Sequence, residues 1–274
     1  MEYGTAGGGW RMIKLLALDY DWTMLDYSAG KPAFSQELLD YLTRFIAAGG
    51  IAGIVSGRTE DSLRHEAFTN GWAWEAPFPS FCVLQEAYAK VPRDALADLN
   101  LQNRAKINAL SRQLSKYVDS WLTAFAGRGL PPQAWSLSSS YPLAFEFSSP
   151  GEASKAWPVL EQCLASAHLD ACRIHRNCHI LALYHPACCK GSLLKAVAEY
   201  YGIAPGEVLA IGDSLNDATM LDGEYGFYCG APENADPQIR SMVLARGGKI
   251  GRGTAYTGVL DIYRQYRAEN LLLL

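Results

Sequence analysis

Long apolar runs, a strong excess of one charge and a compact cysteine framework are all missing from this 274-residue chain. No stretch approaches the roughly 20 apolar residues that a membrane-spanning helix needs, and the closing run Leu271-Leu272-Leu273-Leu274 is far too short. Lys and Arg number 24 against 28 Asp and Glu, a net charge of −4, and no long Lys/Arg run occurs. That balance argues against a nucleic-acid surface, although local cations can still draw a small anion. The Cys count of seven is odd and lacks a compact spacing pattern, which favours reduced thiols and a cytoplasmic setting. Residues 1–11, with Gly4, Gly7, Gly8 and Gly9, lack the apolar segment of a secretory signal and read as a flexible extension. Internal repeats and low-complexity linkers are absent too.

Hydrophobic residues make up 49% of the chain, enough for a substantial core. Ile13-Lys14-Leu15-Leu16-Ala17-Leu18 is short and almost wholly apolar, as expected of a strand buried on both faces of a parallel sheet. Directly behind it stand Asp19-Tyr20-Asp21-Trp22-Thr23, two carboxylates and a hydroxyl where such a strand would end. Ligands of open α/β sheets bind at those carboxyl ends. Two such close carboxylates repel unless a cation is supplied, and an all-oxygen donor set suits Mg²⁺.

Two further runs end in the same way. Ile51–Val55 leads into Ser56-Gly57-Arg58-Thr59, and Val208–Ile211 leads into Gly212-Asp213-Ser214-Leu215-Asn216-Asp217. Ser56 and Gly57 offer a hydroxyl and open backbone N–H groups to an anionic oxygen. Asp213 and Asp217 add carboxylates for a cation. The segment 188–202 reads as a helix with Leu194, Val197 and Tyr201 along one face and Gly202 as its stop. Lys190 would sit at the positive end of the helix dipole, where a cation is unfavourable unless an anion is held there as well. Lys195 reads as a surface residue.

With these four clusters in order, the chain resembles the haloacid dehalogenase superfamily of phosphotransferases. Within it the likeness is to the Cof-like or sucrose-phosphatase-like branch with a large α/β cap, and it covers nearly everything from Met12 onward. Gly230-Ala231-Pro232-Glu233-Asn234-Ala235 is similar to the asparagine-containing loop of the sugar-phosphate phosphatases. The resemblance implies an α/β fold, a Rossmann-like parallel-sheet core with an inserted α/β cap domain. It also implies Asp19 as nucleophile, Asp21 as general acid and base, and Ser56, Gly57 and Lys190 as phosphate-binding residues. Mg²⁺ would be held by Asp19, the Asp21 carbonyl, Asp213 and Asp217, with Thr23 and Asn216 in support. Two departures stand out. Trp22 occupies a position where many relatives have Gly, and Leu84-Gln85-Glu86-Ala87 stands where relatives often show Asn-Gly.

The stretch between Ser56 and Lys190 is too long for a loop, so a folded insertion is expected. The expected division is 12–80 and 186–274 for the core and 81–185 for the cap. Within the cap, 94–126 and 152–167 read as helices, and 144–147, 173–176 and 179–184 as strands. Cys172, His175, Cys178, His179, His185, Cys188 and Cys189 crowd together without paired zinc-knuckle spacing, and strand alternation explains them better. Trp72, Trp74, Trp135, Tyr141, Arg173, His175 and Arg176 are candidates for substrate contact. The expected activity is Mg²⁺-dependent removal of phosphate from a small phosphorylated metabolite, a sugar phosphate above all. A phosphomutase and a silent binding or regulatory protein are the alternatives. The expected partner is that small substrate, with neither nucleic acid nor membrane, and the expected state is a monomer or weak homodimer.

Overall fold

Leu15, Leu16, Ala17 and Leu18 form β1 (Leu15–Leu18), and all four are buried. Leu16 and Leu18 join one hydrophobic cluster while Leu15 and Ala17 join another, which is why the run is apolar throughout. The structure is a computed structural model that describes residues 11–72, 74, 77–138, 141–170 and 172–272. Residues 1–10 of the expected extension and the final two leucines lie outside the described residues.

From β1 the chain runs through α1 (Gln36–Ala47), β2 (Ile51–Val55), α2 (Glu60–Thr69), β3 (Phe81–Leu84) and β4 (Tyr88–Lys90). The middle section holds α3 (Ala97–Leu114), α4 (Val118–Ala126), β5 (Ala134–Ser136), β6 (Leu143–Glu146), α5 (Pro150–Ser166), β7 (Arg173–Asn177) and β8 (Ile180–Tyr184). The last section holds α6 (Lys190–Tyr200), β9 (Val208–Ile211), α7 (Ala218–Leu221), β10 (Tyr228–Pro232), α8 (Pro237–Ala245), β11 (Lys249–Gly251) and α9 (Ala255–Ala268).

Seven strands make one sheet in the order β11-β10-β9-β1-β2-β3-β4, parallel except for the β3–β4 hairpin. α1 and α9 cover one face through Leu42, Phe45, Ile262 and Tyr263. α6 and α8 cover the other through Leu194, Val197, Ile239 and Val243. The chain leaves β1 toward β2 on one side and returns to β9 on the other, so the order reverses at β1. A crevice opens beyond the carboxyl end of a strand at such a reversal.

A second, antiparallel sheet runs β5-β6-β8-β7. Phe145, Leu181 and Leu183 turn one face toward Trp121 and Phe125 of α4 and Leu160 of α5. β7 lies against the Leu215–Asp217 turn of the large sheet, so this smaller layer sits over the carboxyl end of β9. The fold is therefore α/β, a parallel-sheet core with an inserted α/β layer, as expected.

Three boundaries differ from expectation. β3 and β4 fall in residues assigned to the cap, yet both pair in the large sheet, because Phe81, Cys82 and Val83 register on Gly53, Ile54 and Val55. β3 and β4 thus belong to the large sheet rather than to the smaller layer. The 94–126 helix starts at Ala97 and is broken by a tight turn at Ser115–Tyr117, which lets Leu114 and Val118 both reach the cap core. The helix expected over 188–202 spans Lys190–Tyr200, and Gly202 follows it at φ +67°, a conformation glycine adopts without steric cost. Among the described residues no helix is long and apolar enough to cross a membrane.

Candidate active site

Asp19 leaves β1 with its N–H donating to the Ile211 carbonyl at 2.9 Å, which ties the loop after β1 to β9. Lys190, the first residue of α6, has no exposed surface and donates from Nζ to Asp19 Oδ1 at 2.6 Å and to Asp217 Oδ1 at 2.5 Å. Asp217 Oδ2 accepts from the N–H groups of Asp213 and Ser214, both at 2.9 Å. A Cβ at Gly212 would come within 2.4 Å of the Asp217 carboxyl carbon, so glycine there makes room for this inward fold. Asp213 is held in turn by Thr23 Oγ1 on Oδ1 and Ser214 Oγ on Oδ2, each at 2.9 Å.

Burial and this crowding set the electrostatics. Burial would lower the Lys190 pKa, but Asp19 and Asp217 hold it well above the ordinary lysine value, so the ammonium persists. Burial and then Asp217 push Asp19 well up, against the pull of Lys190. The same two causes push Asp213 up to about 7. Oxygen atoms of Asp19, Asp213 and Asp217 lie within 4.8 Å of one another. An all-oxygen set of carboxylates that resist shared ionisation fits a hard divalent cation.

Asp21 is built differently. Arg58 engages both its oxygens, Nε to Oδ2 at 2.8 Å and Nη2 to Oδ1 at 2.7 Å, and Tyr27 donates its hydroxyl to Oδ1 at 2.5 Å. Arg58 also reaches Ser62 Oγ at 3.2 Å and Glu66 at 3.5 Å. Ser56 is buried, and its Oγ accepts from the Arg58 N–H at 3.1 Å. Helix α2 itself begins later, capped by the Thr59 hydroxyl on the Ser62 N–H. Trp22, between Asp21 and Thr23, has φ +58°, where a side chain costs on the order of 1 kcal/mol.

The other wall comes from the smaller layer and the β3–β4 hairpin. Gln85 and Glu86 keep left-handed backbone, φ +53° and +54°, without the Asn or Gly that favours it. That turns the buried Glu86 carboxylate inward, where Oε1 accepts from Asn216 Nδ2 at 2.7 Å and from the Tyr141 hydroxyl at 3.0 Å. His175 Nδ1 lies 3.6 Å from Oε2, its ring between Tyr141 and Tyr184. Burial pushes the His175 pKa down, against the pull of Glu86, so the ring is neutral at pH 7. Burial and then Glu86 hold the Tyr141 phenol well above its ordinary value, so it stays a donor. Arg176 crosses from β7 to Asp236, the N-cap of α8, at 2.9 Å.

Between the walls lies a cleft of about 890 Å³ that takes in Asp19, Asp21, Ser56, Gly57, Asp213 and Asn216. Lys190, Thr23 and Asp217 lie directly behind them through the contacts above. All the residues singled out from the four sequence clusters thus meet in one place. Of the cap candidates, Tyr141 and Arg176 line the cleft and His175 backs Tyr141. Trp72 and Trp74 instead pack on the core, Trp135 is exposed on β5, and Arg173 donates to the Asp170 and Cys172 carbonyls. Sequence reasoning missed Tyr27, Arg58, Glu86 and Asp236 as site residues. Arg58 carried a signal in its place two residues after Ser56, and Glu86 in the departure at 84–87.

The sequence profile of the haloacid dehalogenase-like hydrolases matches residues 159–244. A Haemophilus influenzae protein with a provisional phosphatase name is 34% identical over 85 residues, 31% of this chain and 32% of that protein. The chain thus spans about a third of the length of the curated relative it matches. The sucrose-phosphatase of Synechocystis sp. PCC6803, solved with sucrose and phosphate, superposes with a TM-score of 0.62 at 16% identity, covering 94% of this chain and 98% of that one. A haloalkanoate-superfamily phosphatase from Bacteroides thetaiotaomicron gives 0.59 at 19% identity, covering 98% and 100%. At these identities the likeness speaks to the fold.

Proposed function

We propose that the chain is a phosphohydrolase of the haloacid dehalogenase superfamily that releases phosphate from a small phosphorylated metabolite, a sugar phosphate, through a phosphoryl group carried on Asp19, a reading supported by the profile match over 159–244 and the shared fold. The observation that carries the reading is the 2.6 Å contact of Lys190 with Asp19 inside a buried carboxylate group that opens on the cleft. In this reading the catalytic core comprises 12–90 and 186–274, with the cap between them.

An Asp19 oxygen attacks phosphorus as the ester P–O bond breaks, and the leaving alkoxide takes a proton from Asp21. A water then attacks the acyl phosphate and gives its proton to Asp21, releasing phosphate and restoring both carboxyl groups. Lys190, protonated throughout, would hold phosphoryl oxygens with Ser56 and Gly57 and offset the repulsion between an anionic nucleophile and a phosphate dianion. Mg²⁺, held by the Asp19 carboxylate, the Asp21 carbonyl, Asp213 and Asp217, would add charge neutralisation when bound. Thr23 and Ser214 orient Asp213, and Asn216 ties the metal turn to Glu86. Arg58 engages both Asp21 oxygens, so proton donation requires Asp21 to exchange that partner for the leaving oxygen. Ser62 and Glu66 are placed to keep Arg58 when it does.

The test is release of inorganic phosphate from a panel of sugar, polyol and nucleoside phosphates with Mg²⁺, with Asp19→Asn as the control. Release by the wild type alone supports the reading. Isomer formation without release would replace it with a mutase, and silence across the panel would reject it.

A further inference from the structure

Trp22 has a conformation and a position that acid–base chemistry does not require. Its backbone is held in the left-handed region at φ +58°, and its carbonyl accepts from Asn234 Nδ2 at 2.9 Å. Asn234 is itself fixed by the Ala255 N–H at 2.7 Å, so the strained loop is clamped from the α9 side. The ring is not folded into the core. It remains 40% exposed, rests on Tyr27 with ring centroids 5.2 Å apart, and lines the cleft beside Asp21. Tyr27 is anchored in turn by its hydroxyl bond to Asp21, so the indole rests on a fixed ring next to the carboxylate that would meet the leaving oxygen.

The same cleft is lined by Arg176, Asn177 and Asp236. A flat apolar face combined with a carboxylate, a guanidinium and an amide suits a leaving group with one C–H face and a rim of hydroxyls, and that is a sugar ring. A strained residue kept in a binding cleft points to use at that site. We propose that Trp22 is a stacking platform that selects phosphate esters of cyclic sugars over open-chain ones. This rests on the phosphohydrolase reading and adds the determinant of its leaving-group preference.

Glucose 6-phosphate and sorbitol 6-phosphate differ chiefly in the ring, so the ratio of their kcat/KM values isolates it. The wild type is expected to favour the cyclic ester by about five- to tenfold, the scale of an aromatic contact. Trp22→Leu should bring the ratio to within about twofold of one, while Trp22→Phe keeps most of the preference. A wild-type ratio near one, or a preference that survives Trp22→Leu, would overturn the platform and leave the phosphohydrolase reading standing. Loss of both rates in parallel across the Trp22 variants would assign the residue to loop architecture instead. Failure of the wild type to release phosphate from any ester would overturn the phosphohydrolase reading, and the platform with it.

Discussion

The two walls of the cleft hold their polar groups in different ways. On the large-sheet wall, Asp19, Lys190, Asp213 and Asp217 are nearly devoid of exposed surface and lock onto one another through contacts of 2.5–2.9 Å. They sit on loops that leave parallel strands and at the start of α6, so their positions follow from the sheet. On the opposite wall, Tyr141, His175 and Arg176 meet Glu86 and Asp236 across the junction. The first wall is dry and interdependent, as phosphoryl chemistry needs. The second is a set of contacts between two layers, suited to a cap that opens and closes over substrate.

Asp19→Asn should separate the walls most sharply. Turnover falls by more than about a thousandfold while circular dichroism shows an unchanged fold, because an amide cannot serve as the nucleophile. Lys190→Met leaves Asp19 and Asp217 facing each other without a cation, and we expect a loss of about 3–5 kcal/mol in urea unfolding. Glu86→Ala removes the shared acceptor of Asn216 and Tyr141 at the junction, an expected cost of about 1–3 kcal/mol together with a raised KM. A stability change as large as that of Lys190→Met would erase the distinction between the walls.

The large-sheet wall should also respond to pH. With its pKa raised from 3.8 to about 7, Asp213 favours the metal-free fold below its ordinary value, and that contribution is lost as pH rises through about 7. A cation must displace the same proton, so thermal stabilisation by Mg²⁺ should grow with pH up to about 7 and then level off. Stabilisation independent of pH would remove Asp213 from the metal set. The smallest effect is expected from Arg176→Ala, whose partly exposed pair with Asp236 is worth about 1 kcal/mol or less. Its signature is a severalfold rise in KM with little change in melting temperature.

The difference between the walls also explains what could be read in advance. Asp19, Ser56 and Asp213 each follow a short apolar run, and Lys190 opens an amphipathic helix, so local pattern located all four. Glu86 escaped because its role depends on two consecutive left-handed residues and on partners 55 and 130 positions away. Arg58 stood inside a recognised cluster, but only the fold brings it to Asp21, 37 residues earlier. The cap boundary was misplaced for a related reason. β3 and β4 are short, and their membership of the large sheet is decided by pairing with β2, which periodicity does not report. Among the aromatics, nothing local distinguished Tyr141 in the cleft from Trp72 in the core.

Transfer of the phosphoryl group to Asp19 is open to direct observation. Rapid acid quench of the wild type turning over a ³²P-labelled sugar phosphate with Mg²⁺, followed by peptide mass spectrometry, tests it directly. We expect a phosphoryl group on the peptide containing Asp19 and none in Asp19→Asn. Phosphate release with no label on the protein, or label on another residue, would contradict it.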